Sequence, residues 1–208
     1  MKKIIRKILL DILRRTTTRL FYGASIDIQL KIDDIKVIRK YVNSISEDNC
    51  YVEIGTKYSG SALLAKTAIR QGVEIFTIDP VDERYHFTDK SRADKLDKEL
   101  GIHFINKTSL DAVKKWDKPI GVLFIDGDHT KAGEDFLAWE KFVVPGGIIL
   151  FHDYINDPAE KCSVIDDCKS LVLTNKNYEI IHVPNLHKDK RLRGLSEDTS
   201  ILQLRKNV

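Results

Sequence analysis

Short apolar runs alternate with amphipathic stretches along most of the chain. Near the start, Ile4, Ile5, Ile8, Leu9, Ile12 and Leu13 recur at helical spacing among Lys and Arg, setting an apolar stripe against a basic face. Residues 32–42 repeat the helical period, with Asp33 or Asp34 near the start. From Cys50 the texture changes to strand and helix in turn. Apolar runs at 51–54, 75–78, 103–105, 121–125 and 148–151 predict strands. Helices are expected at 61–70, in the second half of 82–100, at 109–116 and at 131–143, the last stopped by Pro145-Gly146-Gly147. A helix around 160–173 and strands at 178–183 and 200–205 complete the pattern, with a polar, basic loop over 185–199. The run at 121–125 is apolar throughout, as a parallel strand covered on both faces should be.

Repeated strand–helix units define an α/β fold: a doubly wound, Rossmann-like sheet, mostly parallel, of about seven strands. Two regions follow, N-terminal amphipathic helices over 1–48 and the sheet domain over 49–208. With 42% apolar and 31% charged residues in 208, the chain suits one domain with a substantial core and not a disordered one. The net charge of +3 is too small to point to nucleic acid as a partner. Cys50, Cys162 and Cys168 are an odd number without CxxC spacing, which fits a reducing, cytoplasmic interior. No run reaches the ~20 apolar residues of a membrane span, and no small-residue cleavage site follows the basic helix. Residues 1–21 therefore either pack on the domain, pack on a second copy in a homodimer, or lie peripherally on an anionic membrane surface.

In an open α/β sheet, ligands bind beyond the carboxyl ends of the strands. The polar residues there are Glu53 and Gly55, then Asp79, Asn106 and Ser109, Asp126-Gly127-Asp128-His129, and His152-Asp153. The first turn reads Glu53-Ile54-Gly55-Thr56-Lys57-Tyr58-Ser59-Gly60-Ser61. Its glycine allows a ligand near the backbone, and the helix start beyond it offers N–H groups. The G-x-G-x-x-G of a dinucleotide site is missing. An acid two residues before the glycine suits a ligand with both ammonium and carboxylate, such as the methionine end of S-adenosylmethionine. Asp79, closing the second strand, can accept from both ribose hydroxyls. The alternatives are a tight structural turn for the first motif and a cap or turn residue before Pro80 for the second.

Residues 51 to about 154 resemble the class I methyltransferases, in particular a branch whose fourth and fifth strands end in D-G-D-H and H-D. Here these are Phe124-Ile125-Asp126-Gly127-Asp128-His129 and Phe151-His152-Asp153-Tyr154; Gly133, Asp135, Trp139 and Pro145-Gly146-Gly147 match the same branch. The resemblance implies S-adenosylmethionine as cofactor, with Glu53, Gly55, Thr56 and Ser61 around the methionine moiety. It places Asp79 on the ribose, Ser109 on the adenine side and Asp126 beside the sulfonium. It also implies methylation of a hydroxyl on a sugar or other small molecule, so the expected partner is a small-molecule or glycan substrate. Lys57 and Ser59 stand where the branch has its second and third glycines. By similarity to the catechol type, Asp126, His152 and Asp153 occupy the ligand positions for Mg²⁺ or Mn²⁺, His152 replacing the usual carboxylate.

Methyl transfer to oxygen needs in-line approach and removal of the hydroxyl proton. Asp126, His129 and His152 are the candidate catalytic residues, since two imidazoles follow neighbouring strands. The plainer alternatives are that Asp128-His129 caps the next helix and that His152 is a buried, hydrogen-bonded histidine. His86, His103, His182 and His187 read as structural or exposed, and Cys162 and Cys168 as neither nucleophiles nor zinc ligands. Because fold alone does not fix chemistry, a methyltransferase-like hydroxylase and a non-catalytic binding module stay open beside the methyltransferase.

Overall fold

The computed structural model describes residues 30–84, 90–154, 168–184 and 199–208. The expected helix within 1–21, the segment 160–167, most of the 185–199 loop, His86, His187 and Cys162 lie outside them. Helix α1 spans Ile32–Val42, followed by β1 (Cys50–Ile54), α2 (Gly60–Lys66), β2 (Ile75–Ile78), α3 (Lys90–Leu100), β3 (Ile102–Ile105) and α4 (Ser109–Ala112). Then come β4 (Ile120–Ile125), α5 (Ala132–Trp139), β5 (Val143–Phe151), β6 (Tyr178–His182) and β7 (Leu202–Lys206). The seven strands form one sheet in the order β3-β2-β1-β4-β5-β7-β6. All neighbours are parallel except β5–β7 and β7–β6, which are antiparallel.

Both faces of the sheet are covered, which is why β1, β2 and β4 are buried at every position. Tyr51, Ile75, Val122, Phe124 and Leu150 pack with Ile35, Ile38, Tyr41 and Val42 of α1, Leu63 and Leu64 of α2, and Ala93 of α3. Their strand neighbours Val52, Phe76, Leu123, Ile125 and Phe151 point the other way, onto Ala112, Phe136 and Trp139. Among the described residues no helix is long and apolar enough to cross a membrane.

The register aligns the strand ends. Ile105 pairs with Ile78, Ile78 with Ile54, Ile54 with Ile125, and Ile125 with Phe151. The next residues, Asn106, Asp79, Gly55, Asp126 and His152, therefore line up along one edge.

Several elements differ from the sequence expectation. Helix α2 stops at Lys66, because the Thr67 hydroxyl donates to the Leu64 carbonyl and Ala68 N–H to Ala65, tightening the chain into a turn. Helix α5 ends at Trp139, and a 3₁₀ turn over Glu140–Phe142 leads straight into β5. Pro145-Gly146-Gly147 does not stop a helix; it lies inside β5, where pairing jumps from Ile120–Val143 to Val122–Ile148. A Cβ on Gly147 would lie 2.7 Å from Val143 Cγ1, so the irregularity needs glycine there. Of the helix expected at 160–173, the described part is a single π turn at Cys168–Val172. Finally, β7 begins at Leu202 and not at 200, because the Ser200 N–H is taken by Asp34 Oδ1 at 2.7 Å.

Candidate cofactor and catalytic cleft

A cleft of ≈ 680 Å³ opens over the aligned strand ends. Gly55, Thr56, Ser61, Asp79 and Ser109 line one part, and Asp126, His129, His152 and Asp153 another. Every expected site residue except Glu53 reaches it.

Glu53 lies beneath the first turn with no exposure. Its Oε1 accepts from the Ser61 hydroxyl and its Oε2 from the Tyr51 hydroxyl, both at 2.7 Å. Burial pushes the carboxyl up to about 8, opposed by those two hydrogen bonds and reinforced by the charges of Asp126 and Asp79. Gly55 has φ +95°, and a Cβ there would sit 2.3 Å from the Asp126 carbonyl oxygen. The space that this glycine leaves is thus filled by the backbone ending β4, not by a ligand. Lys57 (φ 42°) and Ser59 (φ 59°) also adopt the left-handed conformation, which fits their standing at positions where the resembled branch has glycine.

Asp79 organises this turn. Its Oδ2 accepts Thr56 N–H (2.9 Å) and Lys57 N–H (3.1 Å), and its Oδ1 accepts Val81 N–H (2.9 Å). The Thr56 hydroxyl, buried at the cleft, has no hydrogen-bond partner. Asn106 is structural, its Nδ2 donating to the Asp79 and Pro80 carbonyls. Ser109 Oγ accepts the Trp139 indole N–H at 2.8 Å and hydrogen-bonds Asp135, a cleft residue whose carboxyl burial pushes up to about 6.

On the other side, His152 Nδ1 lies 2.7 Å from Asp126 Oδ1 and 3.5 Å from Asp153 Oδ2. Its Nε2 lies 3.5 Å from Asp34 Oδ2. Burial alone would lower the basicity of this imidazole, but the carboxylates of Asp126, Asp34 and Asp153 outweigh it and hold the ring protonated well above the usual range. The expected alternative of a buried, hydrogen-bonded histidine therefore describes its bonding, while its position is in the cleft. His129, partly exposed, has Nε2 3.6 Å from Asp153 Oδ2. Asp128 does cap: its Oδ1 accepts Thr130 N–H at 3.0 Å at the start of the His129–Lys131 3₁₀ turn. His103 pairs with Glu74 and stacks on Phe76, away from the cleft.

Asp34 and Asp135 are the site residues that sequence reasoning missed. Asp34 read as a helix start, which it also is: its Oδ2 accepts Lys31 N–H at 2.9 Å. It further accepts from Thr199 Oγ1 (2.6 Å), Ser200 N–H (2.7 Å) and Ser200 Oγ (2.9 Å). Burial would raise its pKa, but the His152 ring and these donors hold it down at about 2. Nothing local in the sequence signals partners so distant. Asp135 matched the D-G-D-H branch pattern, and its helical position three residues after Ala132 was the available clue.

The sheet, with acidic residues ending β2 and β4 over one cleft, is doubly wound and Rossmann-like, the fold shared by the methyltransferase structures compared below. A family model described as a methyltransferase domain matches residues 52–154. Solved structures agree in shape over nearly the whole chain. An O-methyltransferase from Bacillus cereus in complex with SAH superposes with a TM-score of 0.68 at 13% identity, covering 94% of this chain and 90% of that one. The O-methyltransferase TomG from Streptomyces achromogenes, involved in tomaymycin synthesis and bound to SAM, gives 0.64 at 13% identity, covering 96% and 89%. SAH-bound methyltransferase PaMTH1 from Podospora anserina gives 0.62 at 13% identity, covering 96% and 88%.

Proposed function

We propose that the chain is an S-adenosylmethionine-dependent O-methyltransferase acting on a hydroxyl of a sugar or other small molecule. The observation that carries this reading is one cleft lined by both residue sets, Thr56, Ser61, Asp79 and Ser109 beside Asp126, His129, His152 and Asp153. Its ≈ 680 Å³ lies within the range of small-molecule and cofactor sites. The Thr56 hydroxyl is an unused hydrogen-bonding group there, and Asp79 Oδ1, holding one backbone N–H, keeps acceptor capacity for a ribose hydroxyl.

S-adenosylmethionine supplies the methyl group on a sulfonium. The chain's part is to align an acceptor and take its proton. His129 would take the proton that the acceptor hydroxyl loses on methylation. Asp153 beside the ring favours the imidazolium that results. Asp126, His152 and Asp153 would hold a Mg²⁺ or Mn²⁺ ion, their ligand atoms lying within 4.8 Å of one another. Such an ion would lower the pKa of an acceptor hydroxyl, and His152 would yield its Nδ1 proton to admit it.

The test is transfer of labelled methyl from S-adenosylmethionine to a panel of sugar and phenolic hydroxyls, with and without a chelator. Methylated product is expected, with His129→Ala lowering turnover about 10²–10⁴-fold while S-adenosylhomocysteine binding is unchanged. Full turnover in that variant removes His129 as base, and full activity after chelation removes the cation. Cofactor binding without transfer to any hydroxyl overturns the O-methyltransferase reading.

A further inference from the structure

We propose that Asp34, on the helix ahead of the matched domain, is a positioning residue for His152, holding Nε2–H so that Nδ1 faces Asp126 and Asp153. The proposal rests on the reading above only in taking that gap as the reaction site.

The two ends of the contact are unequally supplied. Asp34 is wholly buried and fixed by donors that do not involve His152: the Lys31 and Ser200 N–H groups and the Thr199 and Ser200 hydroxyls. His152 Nε2 is buried with no hydrogen bond of normal length, and Asp34 Oδ2, at 3.5 Å, is the acceptor that faces it. Asp34 is thus held in place by donors other than the ring, whereas the Nε2 end of the ring faces Asp34 alone. Phe124 packs edge-on to the imidazole with centroids 6.0 Å apart, bounding it on a further side.

Orientation decides what the cleft sees. Turned over about Cβ–Cγ, the ring would present Cδ2 to Asp126 and Cε1 to Asp34, and both nitrogen contacts would be lost. With Nε2–H committed to Asp34, Nδ1 meets Asp126 at 2.7 Å, whether as a proton donor or, with its proton released, as a ligand. A carboxylate behind a histidine commonly sets tautomer and aim in this way. Capping α1 accounts for the Lys31 contact, and tethering the 199–200 segment accounts for Thr199 and Ser200. Neither accounts for Oδ2 standing against an otherwise unsupplied ring nitrogen.

The experiment is long-range ¹H–¹⁵N spectroscopy of the full chain labelled at histidine, with His152 assigned through its own substitution. The wild type should show a His152 Nε2–H signal protected from solvent exchange. Asp34→Asn should lose that protected signal and move both ring nitrogen shifts. Ser200→Ala, which removes one donor to Asp34 and lowers stability, should leave them in place. Unchanged His152 shifts in folded Asp34→Asn would overturn the proposal. So would a wild-type spectrum with Nε2 unprotonated, a result that can be read even if Asp34→Asn does not fold. S-adenosylhomocysteine titrated into the same samples separates the two claims: a wild type that binds none strikes the methyltransferase reading and leaves the ring result standing.

Discussion

Asp34 and Glu53 are both without solvent exposure, yet one carboxyl sits at about 2 and the other at about 8. Burial raises both, so the difference comes from their company. Asp34 meets the His152 ring, the Thr199 and Ser200 hydroxyls and two backbone N–H groups. A backbone N–H can only donate, so it requires an acceptor and favours the ionised acid. Glu53 meets two hydroxyls, from Tyr51 and Ser61, and has Asp126 and Asp79 as charged neighbours. A hydroxyl can turn and accept instead, so the neutral acid is tolerated there. Two acids without solvent exposure are thus assigned opposite charge states by their neighbours: an imidazole and two backbone N–H groups beside Asp34, and two like-charged carboxylates near Glu53.

The largest expected effect comes from removing the ionised member. Asp34→Ala strands several buried donors and one imidazole, and should cost about 3–5 kcal/mol in urea unfolding. A loss under about 1 kcal/mol would mean that those bonds do not fix the carboxylate as described. Next is the pH dependence at Glu53. Its folded value lies above the ordinary 4.5, so its contribution is full below 4.5 and is lost as pH rises through about 8. The stability gap between wild type and Glu53→Gln should therefore shift toward the variant between pH 5 and 8. A gap that stays flat over that window would break the comparison.

Smaller effects sharpen it. Ser61→Ala withdraws one hydroxyl from Glu53 and should cost about 1 kcal/mol, read from the same urea midpoints. Ser59→Gly should stabilise by roughly 0.5–1 kcal/mol, the relief of a left-handed residue exceeding the added chain entropy. Destabilisation in that variant would show that the buried Ser59 side chain contributes something that the backbone conformation hides.

How far the sequence could be read follows the range of the interactions. β2 was legible residue for residue, since four buried positions, three of them apolar, bounded by turns leave little choice. The meeting of Asp126 with His152 was legible because they end neighbouring strands. The ends of α2 and β7 were not, because each is set by a bond that pattern does not encode, such as Ser200 N–H choosing Asp34 over the sheet. Asp34 looked like any acid in a first helical turn; its other partners are far away in the chain. Lys57 and Ser59 marked themselves by standing in place of glycines, and their positive φ values follow from the turn keeping its shape without them.

The central claim is that the cleft over the strand ends holds S-adenosylmethionine. Its most direct test is isothermal titration of the full chain with S-adenosylhomocysteine, beside Asp79→Ala. The account predicts saturable one-to-one binding to the wild type, weakened in the variant by about 1.5–3 kcal/mol, the worth of hydrogen bonds to a charged group. A folded wild type that takes up no S-adenosylhomocysteine would contradict it.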